Sequence, residues 1–388
     1  MTSPLFGTQV RKSPYFERTR DAGCTSFSIY NHILTPRDFG DVDANYRAIT
    51  ERVVLIDATP QRQVEVVGPD ALAFVQTLTP RNLERFKPGQ SRYALITAPN
   101  GGVISDPVIT FTEDGRIWLS AADGDLILWV LGLAENATQD VAVREVDVAA
   151  MQVQGPASVA VMEAVVGAQI HDLQWYRNGT IRVGGTDVLI TRTGWTSELG
   201  FELYPLSEDG PAIWDRVVDA GQAHGLAVGH TSTARRIEGG ILAMIADMDI
   251  QTTALEVASP KLLDLDQPTE FVGKAALLAE RERGARREIV GMIIDGPAFP
   301  HPNEEYWQVH RARQWIGTVT SAVFSPRLSK NIAIGLIEAN SATLGDTVDV
   351  ETGFGARRAE IVRLPFYDAD KSIPRGAKTW PEITGDHL

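Results

Sequence analysis

The chain has 388 residues, 44% of them hydrophobic and 22% charged, with a formal net charge of −14. That length suggests two or three domains, and the acidic balance argues against nucleic-acid partners, which require basic surface. A single cysteine, Cys24, excludes an internal disulfide framework and any multi-cysteine metal site, and the absence of a long apolar run or an apolar leader predicts a cytoplasmic protein without membrane association.

Residues 1–45 hold Pro, Arg and aromatic residues without clear periodicity and read as an arm packed on the body. Within the arm, residues 27–34 alternate partly like a strand. Residues 63–67 form a predicted strand, and Gly68-Pro69-Asp70 then opens a helix with apolar positions at Leu72, Phe74, Val75 and Leu78. Asn100-Gly101-Gly102 is a turn that feeds a strand and sets Asp106 at its start. A strand over 116–120, a helix over 123–136 and a strand over 141–146 follow. The strand–Gly-Pro–helix unit then recurs at Met151 to Pro156, which suggests two related α+β halves. Strands over 186–193 and 201–204 and helices over 210–223 and 233–246 complete a body spanning 46–285. From about Arg287 short strands dominate, over 288–294, 315–321, 332–337, 347–351 and 358–363, so 286–388 reads as a small β-barrel with an irregular tail after Tyr367.

No dinucleotide fingerprint, P-loop or nucleophile elbow is present, and the seven histidines are scattered, so no metal site is expected. The informative segments are the Asp106 turn and the aromatic, Gly-rich turn from Gly194 to Tyr204, which carries Glu198. Two carboxylates in such turns suggest a converged site, one handling a proton and one gripping a heterocycle.

Across residues 53–367 the chain resembles the folate-binding aminomethyltransferase superfamily named for the T-protein of glycine cleavage. The resemblance rests on Gly89-Gln90 with Tyr93, Asn100-Gly101-Gly102 with Asp106, Gln154-Gly155-Pro156 and Arg192-Thr193-Gly194-Trp195-Thr196 with Glu198. It continues through Gly200-Phe201-Glu202, Arg236-Ile237-Glu238-Gly239-Gly240, Phe271-Val272-Gly273-Lys274 and Gly317-Thr318-Val319-Thr320-Ser321. It implies an α+β, three-domain ring-like fold, with two related α+β halves and a C-terminal small β-barrel, and tetrahydrofolate as cofactor. The arm, through Ile29-Tyr30-Asn31-His32-Ile33-Leu34-Thr35-Pro36, is similar to the dimethylsulfoniopropionate demethylase branch. That implies a tetrahydrofolate-dependent methyltransferase acting on a small methylated onium donor. The alternatives are a glycine-cleavage-type aminomethyltransferase with a lipoyl carrier protein as partner, or an O- or N-demethylase of another compound. Ser232 stands where the glycine-cleavage pattern has Arg.

The resemblance implies roles for individual residues. Asp106 is the catalytic candidate, orienting N5 of the folate and receiving its proton; alone it could equally hydrogen-bond its own turn. Glu198 fits the pterin-binding carboxylate. Tyr93, Gln154, Tyr176 and Val103 are further cofactor-binding candidates, with core packing or helix capping as the plainer reading of each. Tyr30, Trp195 and Tyr204 are aromatic walls for an onium donor, whose charged centre has π-faces as natural partners; they could also pack a pterin or the core. Arg235 and Arg236 could meet the folate glutamate or form a helix-surface ion network.

Overall fold

The computed structural model describes residues 7–121 and 123–383. The first six residues of the expected arm and the last five of the expected tail lie outside the described residues. Among the described residues no helix is long and apolar enough to cross a membrane.

Two antiparallel or mixed sheets and a closed barrel make up the body. A five-stranded sheet runs in the order Ala142–Val146, Gln63–Val67, Ile117–Ser120, Val108–Phe111, Gln90–Tyr93. A six-stranded sheet runs Asn178–Val183, Thr186–Thr191, Gly200–Tyr204, Met151–Gln154, Val53–Asp57, Leu226–Gly229. The strand Val53–Asp57, which the sequence pattern did not single out, pairs antiparallel with Met151–Gln154 and parallel with Leu226–Gly229, so the second sheet draws on chain from both sides of the first.

The repeat is real at the level of backbone. Gly68 and Gly155 both take φ +126°, and a Cβ at either would stand 2.3 Å from the Asp140 carbonyl or 2.6 Å from that of Arg52. Only glycine tolerates that conformation and that approach. Each turn launches a helix, Ala71–Gln76 or Ser158–Val166, whose apolar side packs on its own sheet.

The C-terminal module is a closed barrel of Arg287–Ile294, Lys330–Glu338, Gln314–Ser325, Trp307–Arg311, Thr347–Thr352 and Gly355–Val362. Closure removes the exposed edges that an open sheet would carry. Trp307–Arg311 is an additional strand, its inward Trp307 and Val309 fully within the barrel core. The helix expected over 233–246 is shorter, Thr233–Glu238. Gly239 and Gly240, the latter at φ +63°, break it, and the apolar residues that follow turn toward the central cavity instead.

The N-terminal segment is more structured than its irregular sequence suggests. It holds a helix, Phe16–Asp21, and in place of one strand a hairpin, Ser26–Tyr30 with Ile33–Asp38. Asn31 and His32 both adopt positive φ, +49° and +62°, the geometry of a tight two-residue hairpin turn. Tyr15 anchors the arm: its hydroxyl donates to the Ala149 carbonyl at 2.6 Å and its ring stacks on Trp214 at 4.6 Å. Arg18 grips Asp215 with two bonds of 2.6 Å.

Candidate active site

A cavity of about 900 Å³ lies where the arm, both sheets and the barrel meet. Its wall includes Tyr30 from the arm hairpin, Tyr93 and Asp106 beside the first sheet, Tyr176, Trp195 and Glu202 from the second, and Ile289 and Arg363 from the barrel. That shared wall is what makes the arrangement ring-like. Its size suits a cofactor-sized ligand.

Asp106 is set by the Asn-Gly-Gly turn. Asn100 Oδ1 accepts from the Gly102 amide at 3.0 Å, and a Cβ on Gly102 would fall 1.9 Å from the Ile250 carbonyl. The chain is thereby pinned so that Asp106 enters the cavity between the strands Val103–Ser105 and Val108–Phe111. Tyr93 donates to Asp106 Oδ2 at 3.1 Å. Burial pushes the Asp106 carboxyl up to about 7, while the Tyr93 hydrogen bond pulls it the other way. A carboxyl poised there can hold or release a proton near neutrality.

Glu202 was not singled out from the sequence, yet it is the second carboxylate on this wall. Phe201 and Leu203 of its strand face the core of the second sheet, so Glu202 faces the opposite side. It is 5% exposed and is surrounded by neutral donors: Gln152 Nε2 at 2.7 Å, the Thr193 hydroxyl, and the Tyr204 hydroxyl at 3.3 Å. Burial raises its pKa while these donors oppose the rise. The signal in the sequence was a Glu alternating with Phe and Leu in a strand otherwise made of apolar residues.

Several expectations are corrected. Glu198 is not part of the large cavity. Its side chain is 2% exposed and its Oε1 lies 2.8 Å from Arg235 and 2.7 Å from Arg327, so its charge is consumed in a buried ion network with Glu238 and Tyr367. Gln154 is a structural residue: it donates to the Thr193 and Phe201 carbonyls at 3.1 and 3.3 Å and accepts from Thr196 at 2.7 Å. Gly194 and Gly200 make room for it, since a Cβ on either would meet its amide at 2.1 or 2.3 Å. Val103 is fully buried in a hydrophobic cluster with Leu95 and Phe271. Tyr204 is not on the cavity wall; it meets Trp118 edge-on at 6.0 Å and supports Glu202 from the sheet side. Arg235 and Arg236 are held by Glu238 and Asp247, so neither is available to a folate glutamate. Ser232 caps the helix Thr233–Glu238 through the Arg235 amide at 3.3 Å.

Tyr30, Tyr93, Tyr176 and Trp195 line the same cavity. Tyr30 reaches it because Asn31 is pinned, its amide donating to Asp123 at 2.8 Å and its side chain to the Pro60 carbonyl at 2.9 Å. The Arg236 guanidinium lies 5.9 Å from the Trp195 ring centre and braces it.

Comparison with known proteins decides the family. Residues 15–267 match the GCVT N-terminal domain and residues 287–368 the glycine cleavage T-protein C-terminal barrel domain. The chain belongs to the glycine cleavage T-protein family. It is 32% identical to the dimethylsulfoniopropionate demethylase DmdA of Ruegeria pomeroyi, over 93% of this chain and 98% of that one. It is 28% identical to the aminomethyltransferase of Bacillus subtilis, over 92% and 99%. The crystal structure of the glycine cleavage system aminomethyltransferase T from Bartonella henselae superposes with a TM-score of 0.82 at 22% identity, covering 92% of this chain and 98% of that one, which shows the shared fold. As a T-protein family member the chain is an enzyme of one-carbon transfer that uses tetrahydrofolate.

The residues present fit that cofactor. A pterin presents an amino group and a ring N–H side by side, and a carboxylate without a cationic partner is the matching acceptor. Among the described residues Glu202 has no cationic partner, and it stands on the wall of a cavity large enough to hold the rest.

Proposed function

We propose that this enzyme moves a methyl group from a small methylated donor to N5 of tetrahydrofolate, with dimethylsulfoniopropionate or a related onium compound as the donor. The observation that carries the reading is the Tyr93–Asp106 pair on an aromatic wall with Tyr30 and Trp195. Similarity to the Ruegeria pomeroyi demethylase supports the choice of donor.

Bound tetrahydrofolate supplies the nucleophilic nitrogen. In this reading Glu202 holds the pterin edge and sets its orientation, the role first expected of Glu198. Asp106 hydrogen-bonds the N5 region and takes up the proton released there. Tyr93 keeps the Asp106 carboxylate aimed and lowers its affinity for that proton. Tyr30 and Trp195 face a cation that cannot donate an ordinary hydrogen bond, and their π-faces favour it when desolvated. Alignment of donor and acceptor in one cavity then supplies much of the rate.

The second reading is an aminomethyltransferase working with a lipoyl carrier protein, favoured by the Bacillus subtilis relative. A panel of sulfonium, quaternary ammonium and methyl-ether donors incubated with tetrahydrofolate and enzyme separates the two. Formation of 5-methyltetrahydrofolate from a small donor, read by mass, supports demethylation; inertness toward every donor in the panel overturns it.

A further inference from the structure

Glu202 stands in a polar row that crosses three strands of the second sheet. It lies directly opposite Gln152 on one neighbouring strand and Thr191 on the other, and Gln152 in turn lies opposite Ile56. Cross-strand partners share a face of the sheet. Met151, Val153, Phe201 and Leu203 fill the core on the other face, so Thr191, Glu202 and Gln152 all stand on the side of the site. The two oxygens of Glu202 are held differently. Oε2 accepts from the Thr193 hydroxyl, from the Tyr204 hydroxyl at 3.3 Å and from the Thr191 hydroxyl at 3.5 Å. Oε1 accepts from Gln152 Nε2 at 2.7 Å, and among the described residues it has no other hydrogen-bond donor.

Gln152 is fully buried and does not line the cavity. Its own Oε1 is buried without a partner among the described residues. A carboxylate admits only the N–H end of an amide, so holding Glu202 leaves the amide oxygen orphaned. That arrangement is unfavourable, and an apolar side chain at this position would avoid it. Packing therefore does not account for Gln152, whereas its hydrogen bond to Glu202 does. The donor is also neutral. Glu198, four positions earlier, meets Arg235 and Arg327, and its charge is neutralised there. Gln152 instead favours the charged form of Glu202 without cancelling it, and leaves Oε1 with acceptor capacity for an N–H of the ligand.

We propose that Gln152 is a positioning residue for tetrahydrofolate, fixing Glu202 Oε1 as a charged acceptor for the pterin edge without touching the ligand itself. The inference rests on the folate reading of the cavity and on the part of Glu202 in it. Tyr204 and Tyr176 are the other titratable groups beside Glu202. Burial raises the pKa of both, that of Tyr176 to about 12, so both stay neutral where Glu202 titrates.

Calorimetric titration with tetrahydrofolate from pH 5 to 9 tests this. The parent is Asp106→Asn, which removes the other wall carboxyl that titrates near neutrality. Its binding is expected to weaken as pH falls and Glu202 takes up a proton. Gln152→Met removes the donor at nearly constant volume. The weakening should then begin about one pH unit higher, so that binding is about tenfold poorer on the falling limb and converges with the parent at the top of the range. Gln152→Glu keeps the shape and sets a second carboxyl against the first, so its binding should weaken as pH rises instead. Profiles of both variants that coincide with the parent's overturn the proposal. A loss in Gln152→Met that is equal at every pH overturns it too, since that is the mark of packing alone. Glu202→Gln binding as tightly as the parent overturns the proposal and leaves the folate reading standing. No binding by the parent at any pH strikes the folate reading and the proposal with it.

Discussion

Tyr93 and Asp106 meet at 3.1 Å on the cavity wall, the phenol donating to a carboxylate that burial has pushed up to about 7. The proton-accepting form of Asp106 is therefore populated above about pH 7 and lost below it. Turnover at saturating substrates is expected to rise through that pH. Tyr93→Phe removes the donor that favours the charged form, so the rising limb should move to higher pH, as a pH–rate profile would show. A limb that stays in place would separate Tyr93 from the acid–base step.

Asp106→Asn keeps shape and removes the charge. Turnover should fall by roughly 10²–10⁴-fold, the range for a positioned acid–base group, with folate affinity largely retained. The same variant should be more stable than the wild type. A carboxyl whose folded pKa lies above its unfolded value costs stability that is absent below the ordinary carboxylate range, grows as pH rises, and is complete above about 7. Melting temperatures measured from pH 4 to 8 should show the advantage of Asn opening with pH; an advantage largest at pH 4 would contradict the assignment.

Glu198 and Glu202 stand four positions apart and should fail in different ways. Glu202→Gln is expected to weaken tetrahydrofolate by about 1.5–3 kcal/mol, the worth of a hydrogen bond to a charged group, with little effect on folding. Glu198→Ala leaves Arg235 and Arg327 buried without their shared partner and should cost about 3–5 kcal/mol of stability. Titration calorimetry and denaturant unfolding of both variants check the pair, and a reversed pattern would return the pterin to Glu198.

Much of this arrangement is legible in the amino-acid pattern, and the exceptions have physical causes. The repeated Gly-Pro turn is visible because a glycine forced by a close carbonyl sits before a proline at both places. Asp106 is visible because its turn needs Asn and two glycines. Glu202 is hidden inside a strand that reads as core, since alternation tells which face a residue takes and not what that face meets. Glu198 misleads because a carboxylate in a Gly-rich turn reads as free to grip a ligand, while Arg235 and Arg327, which hold it, come from distant parts of the chain. Residues 239–246 read as helix because their apolar spacing continues past Gly240; that apolar character serves the cavity wall, where Ile241 and Leu242 lie.

Trp195 gives a test of donor recognition. A cation–π contact contributes about 0.5–2 kcal/mol, so Trp195→Ala should raise the donor concentration needed for half-saturation by roughly 2–30-fold. Folate saturation should move less. A variant that loses folate affinity and keeps donor saturation would place the pterin, not the donor, against this ring.

The central claim is methyl transfer from a small donor without a protein carrier. Dimethylsulfoniopropionate carrying a ¹³C-labelled S-methyl group, incubated with tetrahydrofolate and the purified enzyme, tests it most directly. The label is expected on N5 of 5-methyltetrahydrofolate in amounts equal to the demethylated product, with no lipoyl protein added. Absence of labelled folate, with methylene transfer only when an aminomethyl-lipoyl carrier is supplied, would contradict the account and establish the aminomethyltransferase reading.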